Sequence, residues 1–590
     1  MAEAPFRKIL VANRGEIAIR VMRSAKELGC ATVAVYSDVD RDALHVRYAD
    51  EAYHLGAAAP AQSYLNADKL LEIANRSGAD AIHPGYGFFA ENAAFARRAI
   101  AAGIVWIGPH PDAIDAMGDK VRARQAMVAA GVPVVPGGTE PIPDVAGAQR
   151  AAQVYGLPLA LKASGGGGGK GLKIARTLEE LEPAFTTAAR EATAYFGNGT
   201  IYAERYLENP KHVELQILAD KHGNVLHVGE RDCSLQRRHQ KLWEEAPALI
   251  PAVVRDGLRA AGVKAAQAIG YDSVGTIECL VSGDAFYFLE MNTRIQVEHT
   301  VSEQISGIDL VREQILIAAG RPLALCQDDI VFSGHAIEVR VNAEDPAQNF
   351  RPAPGTVERY REPGGFGVRV DSAAYPGFTI TPDYDSLIAK LIVTGRDRDE
   401  ALARLGRAID EYEIGGVPTT LPLLRALVDY GPVRDASYGT ATLEPFAASL
   451  APAASNGTVA SNGTVPQSQP APLDDTIRVE VNEKLFRVRF VDLPLPAGTL
   501  PPVKPAPKKG GTERKNTAAA GNDVVAPMHG VVVEVSVTAG ASVREGEVVA
   551  VIEAMKMMNE IRAHKTGTIG AVHVAPGTTV EARTPLLTFS

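Results

Sequence analysis

A chain that repeats itself at a fixed offset has to fold both copies alike, and the last 68 residues of this sequence do repeat. Ala526, Gly530, Gly540 and Val543 recur 37 positions later as Ala563, Gly567, Gly577 and Val580. Val535 and Val537 recur as Val572 and Val574. In each half apolar residues alternate between glycine turns, which predicts two similar β-layers facing each other as a flattened sandwich. Where the halves meet runs Glu553-Ala-Met-Lys-Met-Met558. A hairpin turn there would carry Lys556 at its tip, amine outward. A lysine on a turn is ordinarily no more than a solvated charge. Two methionines flanking it at an exposed tip are less ordinary, since apolar side chains there have no core to enter.

Two stretches ahead of this region have linker composition. Residues 451–475 are Ala/Ser/Pro-rich and contain Ser-Asn-Gly-Thr-Val twice, at 455–459 and 461–465. A hairpin-like island follows, 478–481 and 486–490 around Asn482-Glu-Lys484. Residues 494–522 are a second linker of 29 residues; as flexible coil it would have an r.m.s. reach of about 27–32 Å. Lys504, Lys508, Lys509, Arg514 and Lys515 fall within it and read as solvated charges. A formal charge of −10 likewise argues against nucleic-acid binding, which needs a basic face. Cys30, Cys233, Cys279 and Cys326 form no CxxC pair, so neither a structural zinc nor a disulfide framework is expected, and a reducing compartment fits. No charged-then-apolar leader opens the chain, and no apolar run reaches the ~18–20 residues of a membrane span. The expectation is a cytoplasmic protein with no membrane segment.

At 590 residues the chain has room for several cores, since one core rarely exceeds ~250–300 residues. Roughly the first 115 residues alternate strand and helix patterns. Lys8-Ile-Leu-Val-Ala12 and Ala31-Thr-Val-Ala-Val-Tyr36 read as buried strands around a helix at 15–28, and Ala81-Ile-His83 and Val105-Trp-Ile-Gly108 follow. This order predicts a parallel, doubly wound sheet. Asn13-Arg14-Gly15-Glu16 would sit at the carboxyl end of the first strand, where such sheets bind ligands. It lacks GxGxxG, so a dinucleotide is not indicated. Farther on, a strand at 157–163 leads into Ser164, five glycines at 165–169, Lys170 and Gly171, and then a strand at 172–175. Glycine amides can approach and fold over a polyphosphate. The pattern fails GxxxxGK[ST] because Gly follows Lys170, and the apolar strands on both flanks argue against a plain linker. Residues 336–445 are strand-rich and end in a helix predicted at 398–414.

In Phe288-Leu-Glu-Met-Asn-Thr-Arg-Ile-Gln-Val-Glu-His299, the polar residues Glu290, Asn292, Arg294, Gln296 and Glu298 recur at period two. An extended strand would set all five on one face, although a solvent-facing strand gives the same pattern. A hairpin of 274–281 and 285–291 with a three-residue loop at 283–285 would place Glu278 opposite Glu290. Opposed carboxylates repel unless a cation lies between them. Mg²⁺ suits such oxygen ligands and bridges them to substrate phosphates.

Together with Glu230-Arg-Asp-Cys-Ser-Leu-Gln-Arg-Arg-His-Gln-Lys241 and Gly334-His-Ala-Ile-Glu-Val-Arg340, this segment resembles biotin carboxylase, a likeness running from residue 6 to about 430. Ala554-Met555-Lys556-Met557 is similar to the biotinylation sequence of biotin carboxyl carrier domains; lipoyl carriers share the two-fold sandwich but normally lack methionine on both sides of the lysine. The resemblance implies an α/β and α+β multidomain chain. It would comprise a pre-ATP-grasp doubly wound domain at 1–118 and an ATP-grasp domain at 119–333 with a glycine-rich lid near 160–176. A biotin carboxylase C-terminal domain at 334–447, linkers at 448–522 with a small hairpin at 477–490, and an all-β flattened-sandwich biotinyl carrier domain at 523–590 would follow.

Residue roles follow from the same resemblance. Lys120, Lys162, Gly168 and Gly169 would hold the nucleotide phosphates, with Glu204, Arg205 and Leu207 at the adenine edge and His212, Gln236 and His239 lining the cleft. Glu278, Glu290 and Asn292 would take Mg²⁺ or Mn²⁺. Lys241, Arg294, Gln296 and the Val297 backbone suit bicarbonate, a small anion that needs donors. Glu298 would be the general base and Arg340 would stabilise the enolate on the biotin ureido oxygen. Lys556 would carry the biotin. Three residues depart from the usual pattern: Arg205 stands where Lys is common, Lys170 where Arg often appears, and Thr300 where Pro usually follows the Glu-His pair. None removes a charge or a metal ligand.

The chemistry so implied is activation of bicarbonate by ATP as carboxyphosphate and transfer of the carboxyl group to biotin on Lys556. With only linkers left over, a separate carboxyltransferase (beta) subunit is implied, as for the alpha subunit of bacterial acyl-CoA carboxylases of the acetyl-, propionyl- or longer-chain type. A biotin protein ligase and homo-oligomerisation of the biotin carboxylase region belong to the same picture. One alternative is a subunit serving a non-CoA acceptor such as pyruvate, although those systems more often place the carrier on the other subunit. Another is a biotin carrier whose ATP-grasp half has decayed to a scaffold, against which the intact Glu278, Glu290, Asn292, Arg294 and Glu298 set argues.

Overall fold

The computed structural model describes residues 3–590 apart from 139, 164–171, 197–198, 239, 451–475, 482–483, 490–521, 529, 555–556 and 582. Gly168, Gly169, Lys170, His239 and Lys556, with the linkers at 451–475 and 494–521, therefore lie outside the described residues. The chain divides into two compact units, residues 1–381 with 386–458, and residues 459–590 with 382–385.

The larger unit opens with five parallel strands. Lys8–Val11 pairs with Ala31–Ser37 on one side and Ala81–His83 on the other, and Glu51–Gly56 and Val105–Trp106 extend the two flanks. Nearly every side chain of the central strands is buried, as a parallel sheet covered on both faces requires. The predicted helix forms as Gly15–Glu27 and buries Ile17, Ala18, Val21, Met22 and Ala25.

Eight antiparallel strands make the second sheet, in the order Ala285–Asn292, Val274–Ser282, Lys211–Ala219, Val225–Arg237, Gln240–Ala246, His335–Asn342, Leu387–Gly395 and Val368–Ser372. Strands from both sides of residue 334 join it, so sequence-distant segments share one ladder. On Lys211–Ala219, Val213, Leu215 and Ile217 face the core with Val254 and Leu258 of the Ala252–Ala268 helix. The helix comes close because Gly262 has no side chain: a Cβ there would lie 2.3 Å from Leu215 Cδ2. The strands at the glycine run form as Leu159–Ala163 and Leu172–Ala175, and with Ile201–Arg205 they make a separate three-stranded antiparallel sheet. The late helix runs Arg398–Glu411, capped by Asp397, whose carboxylate accepts from the Glu400 N–H. It stops short of the predicted 414 because Glu413–Gly415 pairs as a strand with Arg359–Arg361.

Within the smaller unit, Thr476–Val481 and Lys484–Arg489 form an antiparallel hairpin. The repeat folds as two four-stranded sheets. One holds Asp523–Val525, Pro585–Phe589, Gly567–Val572 and Ser542–Val543; the other holds Met557–Arg562, Val548–Ala554, Gly530–Val535 and Thr579–Val580. Repeat-related residues occupy like places: Ala526 and Ala563 are buried, as are Val543 and Val580, and Val535, Val537, Val572 and Val574 pack against the same core. Gly540 and Gly577 take the same left-handed turn, at φ of 89° and 87°. Glu553 pairs with Met558 and Ala554 with Met557, so the two strands meet at the junction between the repeats.

Candidate active site

Strand Lys211–Ala219 presents His212, Glu214 and Gln216 on the face opposite its apolar residues, because successive side chains alternate. Neighbouring strands bring Arg231, Lys241 and Glu278 to that face. Lys241 Nζ donates to Glu214 Oε2 at 2.6 Å, Glu278 Oε1 at 2.9 Å and Glu298 Oε1 at 2.7 Å. Arg231 is fully buried and donates to Glu214, Gln216, Thr276, Gln296 and Ser302, which ties three strands to the residues after 292. Glu278 also accepts from Asn292 Nδ2 and Gln296 Nε2, each at 2.8 Å, and its Oε2 lies 2.9 Å from His212 Nε2. Gln236 Nε2 in turn lies 3.3 Å from His212 Nδ1.

Two expectations about this segment are corrected. The strand ends at Asn292 and the chain turns before the helix His299–Ser306, so the five period-two polar residues do not share one strand face. Convergence comes from the turn, which Glu91 fastens by accepting from the Thr293 N–H and from Arg294 Nε, both at 3.0 Å. Arg294 Nη2 meanwhile donates to Asn292 Oδ1 at 2.7 Å. The hairpin loop, expected to hold three residues, is the two-residue turn Gly283-Asp284, with Ser282 paired to Ala285. Glu278 still opposes Glu290, because a bulge at Leu289 restores the register that the shorter loop removes.

Glu298 stands at the start of the His299–Ser306 helix between two cations, Lys241 and Arg340, whose Nη2 lies 2.7 Å from Glu298 Oε2. Burial opposes its charge, but Lys241, Arg340 and Arg231 outweigh burial and hold the carboxyl well below the usual range. Lys241 shows the converse: burial disfavours its charge, yet Glu214, Glu278 and Glu298 hold the ammonium well above the ordinary lysine range. The Val297 carbonyl accepts from Lys390 Nζ at 3.0 Å, and that ammonium is 3.3 Å from Glu16 Oε2 of the first helix. The Asn13–Glu16 segment thus bears on the site through Lys390.

The nucleotide candidates fall in two places. Lys120 Nζ lies 3.2 Å from Glu290 Oε2. On the three-stranded sheet Lys162 pairs with Glu204, which Arg124 Nη1 also approaches at 3.3 Å. Arg205 is exposed and Leu207 half-buried. Reading the sequence missed Glu214, Glu91 and Lys390 and gave Arg231 no role. Glu214 was the legible one, lying in a His212-x-Glu214-x-Gln216 alternation on an apolar strand. The others take part through contacts between segments far apart in the chain.

Four family models match in succession: "Biotin carboxylase, N-terminal domain" over residues 5–114, and "Carbamoyl-phosphate synthase L chain, ATP binding domain" over 119–326. "Biotin carboxylase C-terminal domain" follows over 338–445 and "Biotin-requiring enzyme" over 522–589. A biotin-dependent acyl-coenzyme A carboxylase alpha3 subunit of Mycobacterium leprae is 46% identical, with 99% of each chain covered. This chain belongs to the biotin-dependent carboxylases. A pyruvate carboxylase subunit from Methanothermobacter thermautotrophicus is 53% identical over 72% of this chain and 86% of its own length. The solved biotin carboxylase domain dimer of Hydrogenobacter thermophilus 2-oxoglutarate carboxylase, in complex with MgADP, ADP and bicarbonate, is 52% identical. It superposes with a TM-score of 0.72, covering 75% of this chain and 97% of that one.

As a biotin carboxylase joined to a biotinyl domain, the chain carboxylates biotin at the expense of ATP and bicarbonate, with Mg²⁺ as cofactor. Two of the expected donors fit that ion: Glu278 and Glu290 pair across the hairpin and offer hard carboxylate oxygens, whereas Asn292 turns its amide NH₂ to Glu278 and its oxygen to Arg294. Among the described residues no helix is long and apolar enough to cross a membrane.

Proposed function

We propose that the chain is the alpha subunit of an acyl-CoA carboxylase, carrying biotin on Lys556 and passing its carboxyl group to a separate carboxyltransferase subunit. The observation that carries this reading is the end-to-end match, carrier domain included, to a relative named as such an alpha subunit. The relative named for pyruvate matches 72% of this chain, and the one named for 2-oxoglutarate 74%.

In this reading Lys241, Arg294 and Gln296 supply donors to bicarbonate, with Val297 beside them. Glu298 takes the bicarbonate proton, and a bicarbonate oxygen attacks the γ-phosphorus of ATP to give carboxyphosphate and ADP. Carboxyphosphate then breaks its C–O bond to give CO₂ and phosphate. Lys120 and Lys162 steady the nucleotide phosphates, and Glu204, Arg205 and Leu207 border the adenine. Glu278, Glu290 and Asn292 would hold Mg²⁺, which neutralises phosphate charge when bound. Biotin on Lys556 would supply the ureido nitrogen that takes up this CO₂ as its N–H proton passes to the released phosphate, and Arg340 would stabilise the enolate charge on the ureido oxygen.

The cations around Glu298 make it a poor proton acceptor while the site is empty. An arriving anion shares Lys241 and Arg294, weakens the field on Glu298 and raises its proton affinity at the moment a base is needed.

Reconstitution with the partner subunit tests the assignment. The biotinylated chain plus carboxyltransferase should carboxylate one or more of acetyl-, propionyl- and longer acyl-CoA, and not pyruvate or 2-oxoglutarate. Lys556→Ala should abolish this, lose one biotin mass, and keep carboxylation of free biotin. Carboxylation of an acyl-CoA by the chain alone, or of a 2-oxoacid in preference to all thioesters, would overturn it.

A further inference from the structure

Two carboxyl groups that the reaction above does not use lie beside Arg340. Glu244, on the Gln240–Ala246 strand, and Glu338, on His335–Asn342, are direct partners across an antiparallel ladder, and both are fully enclosed. Residues so paired stand on one face with Cβ atoms ~4.5–5.5 Å apart, where two ionised carboxylates away from water repel strongly. Few donors reach them. Arg340 Nη2 lies 2.6 Å from Glu244 Oε1 without hydrogen-bond alignment, and the Thr300 hydroxyl donates to Glu338 Oε2. Both oxygens of Glu244 and Oε1 of Glu338 remain buried acceptors with no hydrogen-bonded donor. A proton held between the two groups would satisfy one oxygen on each, leaving the other Glu244 oxygen to Arg340.

We propose that Glu244 and Glu338 share one proton at neutral pH, and that this proton keeps Arg340 divided between Glu244 and the catalytic base Glu298. The inference rests on the roles given above to Glu298 and Arg340. With one proton the pair carries a single negative charge, and Arg340 Nη2 sits almost equally near Glu244, at 2.6 Å, and Glu298, at 2.7 Å. Loss of the proton doubles the pair's charge and draws the guanidinium off Glu298 and away from substrate. Burial raises both groups against the pull of Arg340 and Lys390, Glu244 to about 7 and Glu338 well above the usual range.

The surrounding charges are Arg340 on the Glu338 strand, Lys241 on the Glu244 strand and Lys390 on Leu387–Gly395, which Glu16 of the first helix and Asp371 on Val368–Ser372 share; on Val225–Arg237, Cys233 acts on Arg340 and Arg231 on Glu298. Glu214 on Lys211–Ala219 adds to them. The His299–Ser306 helix brings Thr300 and His299, with Glu298 ahead of it, while Arg398 of the helix packed on this strand is engaged by Glu245. Arg340 is here a shared cation, and Glu244 and Glu338 are positioning residues. Thr300 favours the ionised form of Glu338 and so lowers the pH at which the shared proton leaves.

The test uses the full-length biotinylated chain and free-biotin carboxylation measured against pH. Wild type should show an alkaline fall in rate with a rise in KM for biotin. Glu338→Gln, whose amide donates to Glu244 at every pH, should keep the neutral rate within about threefold and lose that alkaline fall. Thr300→Val should move the fall upward by about half to one pH unit. Infrared difference spectra provide a readout independent of turnover: a protonated-carboxyl stretch present at neutral pH should vanish in Glu338→Gln and shift in Thr300→Val. Superimposable pH–rate profiles for the three proteins, or no lost band, would overturn the shared proton. Full activity in Arg340→Ala would instead strike the role of Arg340 and leave the infrared result standing. If Glu338→Gln does not fold, Thr300→Val carries both measurements.

Discussion

Glu298 accepts from Lys241 and from Arg340, both at 2.7 Å, with its side chain nearly sealed from water. A glutamine at this position keeps the shape but cannot take a proton. Turnover of Glu298→Gln should fall by roughly 10²–10⁴ while MgATP binding, read by calorimetry, is retained; an unimpaired variant would remove Glu298 as the base. Away from the site, Glu245 is enclosed by His335 at 2.6 Å, Arg398 at 2.7 Å and the Tyr438 hydroxyl. Burial opposes its ionisation, but His335 and Arg398 prevail and hold it well below the usual range. Its folded pKa is therefore lower than its unfolded value of ~4.3, so the stability it contributes is present above pH ~4.3 and fades as pH falls toward the folded value. Glu245→Gln should lower the melting temperature at pH 7, and the gap to wild type should narrow as pH drops below about 5. A gap that stays constant with pH would show that Glu245 acts by packing alone.

At the scale of elements, the site depends on how closely helix Ala252–Ala268 sits on strand Lys211–Ala219. Adding a methyl at Gly262 forces Leu215 aside, at ~1–3 kcal/mol for overpacking; better helix propensity returns ~1 kcal/mol. A net loss of about 1 kcal/mol should show as a lower urea midpoint for Gly262→Ala, with a raised KM for ATP because the strand carries His212 and Glu214. An unchanged midpoint and KM would mean that the helix can move away without cost. The facing of Glu278 and Glu290 was legible in the chain, since hairpin pairing follows from turn position. The route to it was not: a two-residue turn plus a bulge gives the same register as a three-residue loop, and local sequence does not distinguish them. The bend after Asn292 was hidden for a related reason. Period-two polarity describes a strand, but Glu91, 203 residues from Arg294, fastens the turn.

For the whole molecule, the composition of residues 494–522 predicts a tether with a reach of tens of ångströms. Removing about fifteen of its residues should spare free-biotin carboxylation and slow transfer to acyl-CoA in the reconstituted complex. Equal transfer rates for the shortened and intact chains would show that the tether does not limit carrier travel.

The two-fold sandwich, the parallel sheet and the family were all written in the order of residues, because repeats, strand–helix alternation and motifs are local patterns that a short window contains. Lys241, Arg294 and Glu298 could be named the same way, all lying within motif segments, and Glu278 from its hairpin register opposite Glu290. How their charges are balanced emerged only with folding. Lys241 is shared among three carboxylates from three segments, Arg340 is divided between Glu244 and Glu298, and Lys390 links the first helix to Val297. Protonation in such a cluster depends on distance and burial, which a low-dielectric interior magnifies. Neither quantity exists until the chain has folded.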